Sequence, residues 1–353
     1  MSTIDAFSHF LPRKVLDRYR VIAPNLPALA AFERLPELWD VDVRLESLQA
    51  FPDLQQILNF GNPPVETFGD PAVAAMLARM ANEELAHIAE SHPNRFPAFT
   101  AVLPMTDVSL ALDELSYSHD QLGARGIQIY TNVLGAPLSD ERFRPIFREM
   151  ARRDLPVLVH PYRTHLVADY PTEEMSEDEI WFTFGWPYET SAFAARMVYS
   201  GIFDELPDLK IVLHHFGGMI PSFGGRINLG FQQIFSGRGG GNPVAQDRGI
   251  SEPVTAHFQK FYADTALNGL PSAVRAGYEF FGSERSVFGS DAPFCQDGGP
   301  SFIAGGISAI ESLGLADRTR NAVLGDNARM LFQLDSAVPL HSQTGHATAR
   351  TKR

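Results

Sequence analysis

Eight short apolar runs recur along this chain, each closed by turn residues and followed by a longer amphipathic stretch. They cover residues 3–7, 54–59, 98–103, 126–130, 156–160, 210–214, 260–264 and 286–290. Such alternation is the pattern of a parallel sheet whose crossovers are helices, and eight repeats predict an α/β chain folded as a TIM (β/α)8 barrel. The flanks agree. Across Pro71–Ser91 the apolar residues Ala74, Met76, Leu77, Met80, Leu85 and Ile88 recur at near-helical spacing, and residues 191–206 place Phe193, Met197 and Ile202 likewise.

A barrel of this type runs to about 250 residues or more as one unit, so the 353-residue length fits a single domain over residues 1–335. Segment 13–44 is too long for one βα loop and carries Leu26, Leu29, Phe32 and Leu35, which predicts a lid-like insertion after the first strand. Two further long connections, 162–183 and 236–252, are placed to cap a cavity. The second holds Gly237, Gly239, Gly240 and Gly241 without the Lys-Ser/Thr ending of a phosphate loop, and reads as a mobile loop. Residues 336–353 are rich in Ser, Thr, His and basic residues without apolar periodicity, and read as a disordered tail.

The formal net charge is −13, which argues against nucleic acid or an anionic membrane as partner, because both attract basic surfaces. A small molecule is the expected partner. Cys295 is the one cysteine, so neither an intrachain disulfide nor a thiolate-rich zinc site can form, which fits a reducing cytoplasm. The first residues show no basic region leading into an apolar run, and no stretch reaches the ~18 apolar residues of a membrane span. A cytoplasmic protein is expected.

Residues suited to chemistry stand at the ends of four apolar runs: His9 just past the first, His160 closing the fifth, His214 and His215 at the sixth, and Asp291 after the eighth. In a TIM barrel the C-terminal strand ends converge on one mouth, so these distant residues are expected to meet. Taken singly each has an ordinary structural explanation; their common register gives them weight. Histidines 87, 92, 119 and 257 fall in helix-like or loop stretches and 341 and 346 in the tail, and are read as surface or structural. Imidazoles and a carboxylate suit zinc or a similar divalent ion, and His9, His160 and Asp291 supply three ligands with a position left open. His215 then acts as a base toward a bound water or the substrate. The small residues of His215-Phe216-Gly217-Gly218 either let a ligand approach the backbone or form a plain strand-to-helix turn.

Four segments, Ile4-Asp5-Ala6-Phe7-Ser8-His9-Phe10-Leu11-Pro12, Val159-His160-Pro161-Tyr162, His215-Phe216-Gly217-Gly218 and Gly289-Ser290-Asp291-Ala292-Pro293-Phe294, together resemble the amidohydrolase-related family typified by aminocarboxymuconate semialdehyde decarboxylase. The resemblance runs from Ile4 to about Phe332. It implies a metal-dependent TIM barrel, in most members a carboxy-lyase (decarboxylase) acting on an aromatic or unsaturated acid, in others a hydrolase. By the same resemblance His9, His160 and Asp291 match metal ligands, with zinc first and manganese second, and His215 with Asp291 carries the catalysis. Arg226 matches an arginine that grips the substrate carboxylate, Tyr162 flanks the pocket, and a homodimer is implied. One position departs: the family expects His or Glu two residues before His9, and this chain has Phe7, which cannot ligate an ion. Either three residues and water suffice, or a neighbour such as His214 substitutes, or the protein binds metal weakly and is a catalytically impaired ligand-binding relative. The phenyl ring is also expected to make one pocket wall apolar, favouring a planar substrate.

Overall fold

The computed structural model describes residues 2–235, 253–268 and 270–335. The glycine-rich segment 236–252 and the tail 336–353 lie outside the described residues. Each apolar run holds a strand: β1 (Thr3–Phe10), β2 (Leu54–Phe60), β3 in two pieces (Ala98–Phe99 and Ala101–Val102), β4 (Ile127–Tyr130), β5 (Val157–His160), β6 (Ile211–Leu213), β7 (Tyr262–Asp264) and β8 (Ser286–Val287). Neighbours pair in parallel from β1 through to β8. The ring closes where the chain's two ends meet: Ala6 N donates to Phe288 O at 2.8 Å, Asp291 N to Phe7 O at 3.1 Å and His9 N to Ala292 O at 2.7 Å. The predicted barrel is therefore the observed one.

Alternation along the strands sorts the core. Val212 on β6 packs with Ile57, Ala98, Leu158 and Val287 from other strands inside the barrel, whereas its neighbours Ile211 and Leu213 face the layer of helices. The helix expected at Pro71–Ser91 has those bounds, with the Asp70 side chain accepting from Ala72 N and proline in the first turn. The helix expected over 191–206 is instead two, Gly185–Tyr199 and Ile202–Glu205, separated by Gly201 at φ +71°, a conformation that ends helices.

The insertion after β1 forms helices Arg13–Ile22, Leu29–Glu33 and Val41–Ser47. Its buried Val15, Leu16, Tyr19, Leu29, Phe32 and Leu38 pack with Phe60 of β2 and with Leu77 and Ala81 of the helix Pro71–Ser91. Leu11 N also donates to Leu38 O at 2.7 Å, so the segment is buttressed against the barrel wall. After β5, Trp186 of the helix Gly185–Tyr199 meets the His160 ring edge-on, with centroids 5.2 Å apart, and Trp181 and Phe182 at the end of the connection pack on Trp186.

Candidate metal centre and active site

β1 runs to Phe10, so His9 lies within the strand rather than just past it, held between its β2 neighbour Asn59 and the closing seam. His160 is the last residue of β5 and pairs in register with Tyr130. On β6 the two-residue period that turns Val212 inward also turns His214 inward. His215 should then face out. It is swung back by a left-handed turn, with φ +55° at His215 and +48° at Phe216, a strained conformation for non-glycine residues. Asp291, beyond β8, is likewise left-handed at φ +66°.

These placements bring His9, His160, His214 and Asp291 together, each offering one ligand atom, all within 4.8 Å of one another. The three imidazoles are fully or almost fully buried, and the Asp291 side chain is 15% exposed. His9 Nε2 lies 3.1 Å and His214 Nε2 3.3 Å from Asp291 Oδ1. At the other ring nitrogen every imidazole has a fixed acceptor: His9 Nδ1 with Phe60 O at 3.2 Å, His160 Nδ1 with Pro161 O at 2.6 Å, and His214 Nδ1 with Asp264 Oδ2 at 2.6 Å. A ring whose Nδ1–H is committed in this way presents Nε2 as its ligand atom, the arrangement by which outer groups orient metal-binding histidines. Three imidazole nitrogens and one carboxylate oxygen form a donor set that fits a divalent transition metal.

The electrostatics follow from crowding. Burial disfavours the charged form of His214, but Asp264 and Asp291 outweigh it and lift its pKa to about 9. Burial, with His9 and His214 beside it, holds His160 well below the usual imidazole value. Burial raises Asp291, yet hydrogen bonds from His214 and His9 win and hold it well below the usual carboxylate range. Burial lowers His215 to about 4, with the neighbouring His214 adding to the effect. His215 donates Nδ1–H to Ala266 O, so its Nε2 is an open lone pair beside the cluster.

A second buried chain lies beneath. Asp5 accepts from Ser290 Oγ at 2.5 Å, Ser290 N at 2.9 Å and Gln56 Nε2 at 2.9 Å, fixing the turn that carries Asp291; burial nevertheless raises it to about 6. Arg44 of the insertion donates to Gln56 Oε1 at 3.0 Å, to Glu37 O at 2.8 Å and to His9 O.

Of the other expected site residues, Phe7 packs against the cluster while Tyr162 and Arg226 lie away from it. Phe7 has no exposed surface: its ring stacks on His214 with centroids 3.9 Å apart, so it supports that imidazole instead of lining an open pocket wall. Tyr162 borders a cavity of about 420 Å3 shared with Thr131, Asn132, Arg163, Glu189 and Phe193, with none of the four cluster residues in its lining. Arg226 sits on an exposed part of the helix Ile220–Phe235, and no hydrogen bond or ion pair joins it to the cluster among the described residues. The glycines after His215 serve the turn. A Cβ on Gly218 would lie 2.4 Å from Pro187 O and one on Gly217 2.9 Å from the Phe281 ring, so protein rather than ligand occupies that space. The sequence reading named one further residue of the site only as an alternative and missed another. His214 was legible only as an alternative, although its spacing from Val212 points inward. Asp264, closing β7, was legible by the same strand-end logic applied to His160.

With this geometry in place, the sequence pattern of the amidohydrolase family matches residues 4–334. The chain is a member of the amidohydrolase family. Relatives include 2-amino-3-carboxymuconate-6-semialdehyde decarboxylase of Dictyostelium discoideum, 28% identical over 84% of this chain and 77% of that protein. Another is gamma-resorcylate decarboxylase of Rhodococcus jostii, 31% identical over 83% of this chain and 88% of its own. Among solved structures, 5-carboxyvanillate decarboxylase of Novosphingobium aromaticivorans with bound manganese superposes with a TM-score of 0.80 at 22% identity, over 94% of this chain and 97% of that one. At that identity the superposition speaks for the fold.

Proposed function

We propose that this chain is a metal-dependent decarboxylase of a small aromatic carboxylic acid, with His9, His160, His214 and Asp291 holding the ion and His215 handling the proton. One observation carries the reading: four donor atoms, three of them on buried imidazoles, converge within 4.8 Å while each imidazole keeps its Nδ1 on a separate acceptor. His214 takes the ligand place that Phe7 cannot fill, and the Phe7 ring beneath it fixes its plane. A bound divalent ion supplies Lewis acidity toward the oxygens of the acid.

The chain's own residues do the rest. His215 is neutral when alone, because burial and His214 oppose its charged form. A carboxylate entering beside it offsets that penalty, and Nε2 takes up a proton from solvent. Nε2 then delivers the proton to the ring carbon that bears the carboxyl group. As the new C–H bond forms, the C–C bond breaks and its electron pair stays on the ring carbon while carbon dioxide leaves. Trp186, Trp181 and Phe182 close over His160 and keep water from the reacting carbon. The named relatives act on ring or unsaturated acids, which supports the substrate class.

The test is metal analysis of purified protein followed by carbon dioxide release from 2,6-dihydroxybenzoate, 6-methylsalicylate and 5-carboxyvanillate, with manganese and zinc each supplied. Near-stoichiometric metal and release of carbon dioxide without oxygen from labelled water are expected. Oxygen from labelled water in the product would point to hydrolysis instead, and a protein without metal or turnover would sink the assignment.

A further inference from the structure

The cavity of about 420 Å3 bordered by Tyr162 is walled on one side by a single helix. Glu189, Ala192, Phe193 and Arg196 of the helix Gly185–Tyr199 recur at helical spacing and share one face of it. The rest of the lining comes from the hairpin that follows β4 and from the chain just after β5. None of His9, His160, His214 and Asp291 takes part.

The two charged residues of that helix face are poorly matched by the protein itself. Arg196 donates Nε–H to Ser139 Oγ at 3.0 Å, and no carboxylate pairs with it among the described residues. The cation beside Glu189 is Arg163, whose Nη1 stands 3.8 Å from Glu189 Oε1. That guanidinium is committed elsewhere, since its Nη2 donates to Ala168 O at 3.2 Å and to Asp169 Oδ1 at 3.4 Å. Burial raises the Glu189 carboxyl above its ordinary value, and Arg163 and Asn132 offset that only in part. Seven positions separate Glu189 from Arg196, about 10 Å along the helix axis, too far for the two to neutralise each other. Ala192 and Phe193 lie between them on the helix, and Leu138 and Val167 add further apolar lining.

We propose that this cavity is a second ligand site, for a small zwitterion whose ammonium group pairs with Glu189 and whose carboxylate pairs with Arg196 and the Ser139 hydroxyl, its apolar body lying on Ala192 and Phe193. Simpler ligands fail at one end. An inorganic anion or a dicarboxylate meets Arg196 but also the like charge of Glu189, and a plain amine leaves the guanidinium unmatched. The site shares no residue with the metal centre, so the inference stands or falls apart from the decarboxylase reading.

Calorimetric titration of manganese-loaded protein with 4-(aminomethyl)benzoate, a rigid zwitterion, and with its flexible counterpart 6-aminohexanoate tests it. At least one should bind, and Arg196→Ala and Glu189→Gln should each weaken that binding roughly tenfold or more, with metal content and circular dichroism retained. In competition, 4-methylbenzoate, which lacks the ammonium group, and benzylamine, which lacks the carboxylate, should displace the zwitterion roughly tenfold less well. His160→Ala, which disrupts the metal centre, should keep the zwitterion's affinity within about twofold. Loss of binding in a folded His160→Ala protein places the ligand at the metal centre and overturns the proposal. So does unchanged affinity in Arg196→Ala or Glu189→Gln, which decides the matter even if His160→Ala does not fold. Equal displacement by either truncated compound, or no binding of either zwitterion, overturns it as well.

Discussion

Side chains at the strand ends and those on the connecting segments are held in different ways. His9, His160 and His214 leave strands or their immediate ends, and each is oriented by a bond from Nδ1 to an acceptor on another part of the barrel or on the next residue. Tyr162 and Arg226, expected on the same family resemblance, stand on a loop and on an exposed helix, and neither joins the cluster. Barrel closure dictates where a strand end points, because neighbouring strands and the interior leave it one direction. A helix several residues beyond the strand has no such constraint, and the same sequence reasoning loses its grip there.

The contrast can be broken or sharpened by substitution. His160→Ala and Asp291→Ala should each abolish metal occupancy and lower turnover by about a thousandfold or more while the barrel stays folded, checked by elemental analysis and circular dichroism. Full activity in either variant contradicts the donor set. One shell out, Asp264→Asn removes the charge behind His214 and should weaken metal affinity by about 10- to 100-fold, measured by competition with a chelator. A change below twofold would mean that His214 is not a ligand.

A buried group on the short 3-10 helix Val65–Phe68 offers a test of stability. Burial raises Glu66 from 4.5 to about 7, although it accepts from Met105 N at 2.9 Å. Because the folded state keeps this proton after the unfolded chain has released it, stability from this group is complete below about 4.5 and is lost as pH rises through about 7. The change is on the order of 3 kcal/mol. Glu66→Gln should flatten that slope, raising Tm at pH 8 relative to wild type and leaving the two proteins closer at pH 4.5. Smallest of all, Arg226→Ala should leave metal content and metal affinity within about twofold of wild type, and a large loss would contradict its separation from the cluster.

The eight strands were legible because their apolar runs are short, bounded and separated by helical periodicity, and the helix Pro71–Ser91 because its apolar residues recur at near-helical spacing. His160 and Asp291 were legible from their positions after strands. What the sequence hid lay in backbone irregularities. A register shift between Asp5 and Ser8 in β1 puts an extra residue beside Phe7, and the left-handed turn at His215 returns a side chain that alternation would send outward. Neither has a residue-type signature, since both use ordinary L-residues where glycine would have announced the turn. The result is that two adjacent histidines serve one pocket, a reading that period-two logic alone forbids.

The seam that completes the ring has a consequence for the order of events during synthesis. His9 and Asp291 are separated by 282 positions, yet they meet across the junction that joins the first strand to the last. A nascent chain therefore carries one of the four cluster residues from the outset and cannot complete the set until nearly the whole polypeptide has emerged. Contacts this remote in sequence form late and slowly. Activity should appear as a terminal step of maturation, after most helices have already settled around an open ring.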